Sequence, residues 1–398
     1  MVLRLRKRVM DKLPKVVGKH TSSNPQQPLR VAINGIHSKS GGGLTYLRNI
    51  LPILANMPDI ELHLFLHRNQ FRLFSPISDK INVTLFSFRP TFFRTLVWEQ
   101  LAIPRTARKI ECDVLFSPAN YGPIFGRNHV ILLRNAVSVI KLTQKPKQML
   151  YWLALSIATI ISFLTAKKAI AVSDYAKQLL TFGFPSVVTD KCTVVHHGVN
   201  QITLDQMQNA KLGSDLLAVS DIYVQKNYHN LISAFAVLLK TRPDLRLIIV
   251  GQEIDKAYAK DLYNLIDELE IKKNIFFKGH VNTNKLINYY KNCRVFVFPS
   301  LIETFGNPLL EAMSVGVPIA CSRGAAMPEI LGNTGLLFNP NDKDDIALKI
   351  ERLLSDDVLS VKLGRMAAQR SHSFLWRETA EKTYSVLKDA SMPKSNIT

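Results

Sequence analysis

Residues Pro299–Pro318 (PSLIETFGNPLLEAMSVGVP) bring together the chain's most chemically suggestive side chains. A strand over Arg294–Phe298 is expected to end at Pro299. A short loop then carries Glu303, Phe305 and Gly306, and a helix starts near Asn307–Pro308, where proline suits the first turn. The N–H groups of Phe305, Gly306 and Asn307 would project from a helix N-terminus, an arrangement suited to a diphosphate. Gly306 lets a ligand approach the backbone closely. Glu303 on the loop and Glu311 eight residues later can border one pocket, and a carboxylate accepts hydrogen bonds from paired vicinal hydroxyls. E-x7-E alone would read as surface solvation; the loop, the glycine and the helix start give it meaning.

This stretch resembles the retaining GT-B glycosyltransferases, in particular family 4, the group 1 transferases that use nucleotide sugars. The likeness runs over most of residues 170–390: AVSDYAK (171–177), VVHHGVN (194–200), KNYHNLISAFAVLLKTRPDLRLIIVGQ (226–252), VGVPIACSRGAAMPEILGNTGLLFNPND (315–342) and FLWRETAEKTYSVL (374–387). In the N-terminal half it rests on Gly41–Gly43 after a strand. The resemblance implies that Glu311 binds the nucleotide ribose and that Glu303 binds and orients the donor sugar. It gives Phe305, Gly306 and Asn307 backbone contacts to sugar and diphosphate. Lys226 would neutralise the departing diphosphate, with Gly42 and Gly43 closing over it.

Two positions depart from the family pattern. Asp221 stands where an arginine usually precedes the phosphate lysine. Arg134 and Asn135 stand where many members carry a histidine, so Arg134 is the candidate second cation and Asn135 a substrate contact. His197, at the interdomain crossing, is a further candidate contact beside a structural role. No cofactor and no catalytic metal are expected, since no D-x-D motif suited to a metal–diphosphate complex stands out. No G-x-S-x-G, P-loop or H-E-x-x-H motif is present either.

The elements needed to position these residues follow from periodicity. Strands are expected at Arg30–Asn34, Glu61–Leu66, Asn82–Phe86, Asp113–Ser117, His129–Leu133 and Ala169–Ser173. A second series falls at Leu216–Ser220, Leu245–Val250, Asn274–Lys278, Arg294–Pro299, Val317–Cys321 and Gly335–Phe338. Helical patterns lie between them. The α/β alternation predicts two doubly wound, Rossmann-like domains facing a cleft, which the resemblance implies is the GT-B arrangement. With what the resemblance implies, the expected divisions are a basic segment (1–28), an acceptor-side domain (29–198), a nucleotide-sugar domain (199–374) and a helix crossing back to the first domain (375–390). Gln148–Ala166 is uncharged over 19 residues, about 28 Å as a helix. It reads as a buried core helix more than as a membrane span, because a span there would divide the first sheet.

The chain has 398 residues, 47% apolar and 21% charged, which excludes a disordered or collagen-like protein. Its four scattered cysteines fit a reducing compartment. The net charge of +20 is uneven: residues 1–198 hold 27 basic and 9 acidic side chains, residues 199–398 hold 24 and 22. One half is therefore expected to face a polyanion. The Met1–Lys19 segment and Thr91–Trp98 (TFFRTLVW) suggest an anionic membrane surface. Nucleic acid is not expected, for want of aromatics interleaved with Lys and Arg. The expectation is a retaining hexosyltransferase, peripheral on the cytoplasmic face of the cell membrane, using a nucleotide sugar donor and a glycolipid or polysaccharide acceptor of the O-antigen or lipopolysaccharide type. The alternative is a basic nucleic-acid-binding protein, or a non-catalytic membrane-associated protein that kept the fold.

Overall fold

The computed structural model describes residues 27–39, 41–89, 92–135, 146–199 and 213–393; Met1–Lys19, Thr91 and Asn200, singled out above, lie outside them. Short apolar runs form two parallel sheets. The first contains β1 (Leu29–Asn34), β2 (Ile60–His67), β3 (Ile81–Phe86), β4 (Val114–Ser117), β5 (Val130–Leu133), β6 (Lys168–Ala171) and β7 (Cys192–Val194), in the order 3-2-1-4-5-6-7. The second contains β8 (Asp215–Val219), β9 (Leu247–Val250), β10 (Ile275–Phe277), β11 (Cys293–Phe298), β12 (Ile319–Ser322) and β13 (Leu336–Phe338), in the order 10-9-8-11-12-13. The central strands are buried on both faces, which is why they read as unbroken apolar runs rather than alternating ones. β7 is the strand that periodicity missed; its middle residue, Thr193, is polar and exposed, so it shows no apolar run.

Both sheets reverse direction beside their first strand. Ile33 of β1 pairs with Leu64 on one side and Phe116 on the other. Leu217 of β8 pairs with Ile248 and Phe296. Each reversal opens a crevice at the carboxyl ends of the strands, and the two crevices face each other. Five helices matter below: α1 (Gly41–Leu54), α2 (Pro146–Thr165), α3 (Thr283–Asn292), α4 (Asn307–Val315) and α5 (Trp376–Ser391).

The last of these returns to the first domain, as expected. Val199 N–H donates to Phe374 O at 2.8 Å, and Val199 forms a parallel bridge with Leu375. A Cβ on Gly198 would lie 2.1 Å from Trp376 N, so only glycine lets the two crossing strands pass. Beyond this point the Tyr46 hydroxyl of α1 meets Thr383 Oγ1 at 3.0 Å. The AVSDYAK stretch (171–177) forms a second strap. Ser173 caps the helix over Asp174–Leu180, and Glu329 of the second domain accepts from the N–H groups of Asp174 and Tyr175 and pairs with His196. Burial works against that carboxylate, but these bonds hold it below the usual range.

One expectation is corrected. α2 forms where Gln148–Ala166 was placed, but it is not a buried core helix. Leu155, Thr159 and Phe163 face the sheet, while Leu150 (68% exposed), Leu153, Ile157, Ile161 and Leu164 form an outward stripe. Hydropathy gave the composition of the helix and could not say how many of its faces are covered. Among the described residues no helix is long and apolar enough to cross a membrane.

Candidate active site

β11 delivers the chain into the cleft at Phe298, and the loop that follows is tied down at several points. Leu301 N–H donates to Gln225 O, Ser173 Oγ donates to Thr304 O, and Thr304 Oγ1 donates to Arg134 O. Gly306 then adopts φ +93, the left-handed region that favours glycine, and starts α4. The first N–H groups of a helix have no intrahelical acceptor, and here they open toward the cleft. Phe305 contributes backbone only: its ring is 2% exposed and packs against His197 and Phe374 in the interdomain core. The start of α1 faces α4 across the cleft, close enough that a Cβ on Gly42 would lie 3.6 Å from Asn307 Nδ2. The Gly41–Gly43 run is itself the first helical turn.

Two cations enter this space from opposite walls. Lys226 ends a short 3-10 turn, and the next residue, Asn227, takes a left-handed φ of 58. Buried Asn227 donates to Pro299 O and Pro340 O, which pins Lys226 to the β11 loop. Lys226 Nζ lies 2.5 Å from Glu303 Oε1, with each side chain 17% exposed. Arg134 leaves the end of β5. Its Nε donates to Pro118 O at 2.9 Å, and its N–H donates to Asn120 Oδ1. The guanidinium lies against α1, where a Cβ on Gly43 would fall 2.2 Å from Nη2. Burial lowers its pKa to about 10, and among the described residues no carboxylate pairs with it. Asp221 instead accepts from Gln252 N–H at 2.9 Å and locks a loop. The cation missing from that position has a counterpart in Arg134 on the facing wall.

Glu311 projects from the second turn of α4 and accepts from the Tyr290 hydroxyl of α3 at 3.0 Å. Burial raises its carboxyl to about 7, although the tyrosine bond pulls the other way. His197 is buried between Tyr46 and Phe305; burial lowers its pKa to about 4, so the ring is neutral. Its Nδ1 pairs with Asn307 Oδ1 at 2.9 Å, and Nε2 is buried without a partner. Asn135 is held by Asn120 on the wall beside Arg134.

The structure gathers Glu303, Lys226, Arg134, Glu311, Phe305, Gly306, Asn307, Gly42, Asn135 and His197 around one cleft of about 630 Å³. Gly43 lies behind Arg134 rather than in the wall. A second cavity, about 460 Å³, adjoins it between α1, α3 and α4, and Glu311 borders both. Residue patterns did not reveal Tyr290, Asn120 or the strapping role of Glu329. Each acts through a partner more than ten residues away, which leaves no local signal. The Asp342-x-Asp344 spacing is a helix cap, with Asp342 accepting from the N–H groups of Asp344 and Asp345.

Comparison with known proteins agrees with this fold. Residues 204–370 match the family model described as glycosyl transferases group 1. The chain is 30% identical over 236 residues to O-antigen chain mannosyltransferase B of Escherichia coli, covering 56% of this chain and 61% of the relative. It is 27% identical over 221 residues to the serotype-specific mannosyltransferase WbdA of Escherichia coli, covering 55% of this chain and 27% of that one. Each match thus spans less than two thirds of the relative's own length. Among solved structures, sucrose-phosphate synthase from Thermosynechococcus elongatus superposes with a TM-score of 0.74 at 19% identity, over 92% of this chain and 99% of that one. WaaG, a glycosyltransferase involved in lipopolysaccharide biosynthesis, gives 0.71 at 14% identity, over 90% and 99%. Residues 204–370 are therefore a glycosyl transferases group 1 domain, within a chain of GT-B fold.

Proposed function

We propose that this chain transfers a hexosyl group, mannose on the strength of its relatives, from a nucleoside diphosphate sugar to a hydroxyl of a lipid-linked or cell-surface polysaccharide acceptor, with retention at the anomeric carbon. One observation carries the reading: two helix N-termini, Lys226 and Arg134 converge on a single cleft that also holds Glu303 and Glu311. Helix N-termini and cations together suit a diphosphate that gains charge as it leaves. Glu311 would take the ribose hydroxyls, and Glu303, poised by Lys226, those of the sugar. Asn135 and His197 would complete the substrate contacts.

Glu303 is already paired with Lys226, which argues against a free carboxylate nucleophile of the glycosidase kind. The favoured route is a same-face displacement in which the departing phosphate oxygen takes the proton of the acceptor hydroxyl. Lys226, Arg134 and the backbone N–H groups supply the charge in this reading without a catalytic metal. Incubating the full chain with GDP-, UDP- and ADP-hexoses and a membrane extract, with and without EDTA, tests it. Donor turnover unaffected by EDTA is expected; no turnover of any donor overturns the reading.

An anionic membrane, on its cytoplasmic face, is the proposed platform. The outward stripe of α2 is joined to Phe125 (70% exposed) and Leu101 through a bonded network: Gly122 N–H to Ser162 Oγ, Gln100 Nε2 to Gly122 O, and Ile124 N–H to Gln100 Oε1. Residues 92–109 and 121–129 carry Arg94, Arg105, Arg108, Lys109 and Arg127, all exposed, against one acid, Glu99, which is buried. A positive rim around an apolar face repels a second copy of itself and attracts anionic lipid.

A further inference from the structure

The first domain holds a buried acid that the donor chemistry does not use. Glu99 is fully buried on a π-helical turn (Trp98–Ala102), a rare geometry that recurs at functional sites. Its Oε1 accepts from Asn34 Nδ2 at 2.8 Å and pairs with His37 Nε2 at 2.9 Å, while Oε2 has no partner. His37 Nδ1 in turn lies 3.3 Å from the Tyr121 hydroxyl. The three groups form an ordered chain of carboxylate, imidazole and phenol.

The loop bearing His37 is rigid. Buried Gln70 donates through Nε2 to the carbonyls of Gly35, Ile36 and Ser38, at 3.2, 3.1 and 3.3 Å. The loop leaves the carboxyl end of β1 and leads into α1, so it stands on the cleft side of the sheet. Tyr121 follows Asn120, whose side chain holds the backbone of Arg134 and Asn135 in the cleft wall. A buried carboxylate kept for packing alone would be replaced at little cost by an apolar side chain. This one is spent on orienting an imidazole and, through it, a phenol.

We infer that the Tyr121 hydroxyl, oriented by His37 and Glu99, accepts a hydrogen bond from a hydroxyl of the acceptor sugar. The direction of the chain selects the ligand. In the tautomer proposed, His37 donates from Nε2 to the carboxylate and accepts at Nδ1 from the phenol, which leaves the phenol oxygen only to accept. A sugar hydroxyl can donate to it; a phosphate oxygen cannot. The reacting hydroxyl must point its proton at the departing phosphate, so the one held by Tyr121 is its neighbour. Tyr121 is thus an acceptor-binding residue that sets specificity, and His37 and Glu99 are positioning residues. The inference rests on the transferase reading above.

The test uses the full chain, a nucleotide sugar that it turns over, and n-octyl α-mannopyranoside with its monodeoxy analogues as acceptor probes. Tyr121→Phe should raise the KM for the parent probe about tenfold, the scale of one lost hydrogen bond, with nucleotide affinity and hydrolysis of the donor by water unchanged. One deoxy analogue should show the same penalty in the wild type and none in Tyr121→Phe. Glu99→Gln should move the His37 ring nitrogen resonances and weaken the parent probe likewise. If Glu99→Gln fails to fold, Tyr121→Phe with the deoxy series decides alone. An unchanged KM, an equal fall in donor hydrolysis, or a deoxy penalty that survives in Tyr121→Phe overturns the inference and leaves the transferase reading standing. Absence of donor turnover in the wild type overturns both.

Discussion

Lys226 and Glu303, 77 residues apart in the chain, form an ion pair at 2.5 Å inside the cleft, each with its side chain only 17% exposed. The pair holds a cation where the diphosphate would sit and keeps Glu303 in the cleft wall. Lys226→Ala should therefore reduce sugar transfer by roughly 10²–10³-fold, the scale for losing one donor at a developing oxyanion. It also leaves a shielded carboxylate unpaired, which costs stability. The double variant Lys226→Met/Glu303→Gln should recover the melting temperature while transfer stays low. Recovery of transfer in the double variant would refute the electrostatic role.

Glu311 gives the site a pH dependence. Its folded pKa, about 7, stands above the ordinary carboxyl value because the group is buried. Below that pH the carboxyl is protonated and accepts less well, so nucleoside diphosphate affinity should weaken as pH falls from 8 to 6. Isothermal titration of Glu311→Gln should show that slope reduced to what the ligand's own phosphate ionisation gives. For stability the sign is opposite: a raised acid pKa means stability is lost as pH rises through the folded value. Glu311→Gln should therefore gain in melting temperature relative to wild type between about pH 5 and pH 8.

Adjacent glycines should behave differently. At Gly43 a Cβ would fall 2.2 Å from Arg134 Nη2, and the guanidinium is held from behind by Pro118 O. Gly43→Ala should cost about 1–3 kcal/mol as overpacking and displace the cation from the cleft. At Gly42 the nearest atom is an ordinary 3.6 Å away. In the ligand-free protein, Gly42→Ala should be neutral or stabilising by about 0.5–1 kcal/mol, as in other helices. Thermal melts of the two variants check the contrast.

The apolar stripe of α2 should bind lipid. Flotation with vesicles containing phosphatidylglycerol should recover the protein, and neutral vesicles or high salt should recover less. Leu150→Glu/Ile157→Glu should abolish recovery without changing nucleotide affinity, because both side chains face outward. Equal recovery of that variant would remove the stripe from the docking face.

Local sequence determined much of this protein. Apolar runs alternating with helical periods sufficed for two parallel sheets, because strands buried on both faces must be apolar throughout. The Glu303–Gly306–Glu311 spacing was legible too, since a strand end, a left-handed glycine and a helix start are consecutive events in one chain. Tertiary structure alone decided which groups pair. Lys226 with Glu303, Glu311 with Tyr290, Arg134 with the face of α1, and His37 with Glu99 are contacts between distant segments, and no period or motif records the distance between side chains from separate elements. The outward face of α2 belongs with them: a sequence specifies how apolar a helix is, but its neighbours in space decide which side of it stays uncovered.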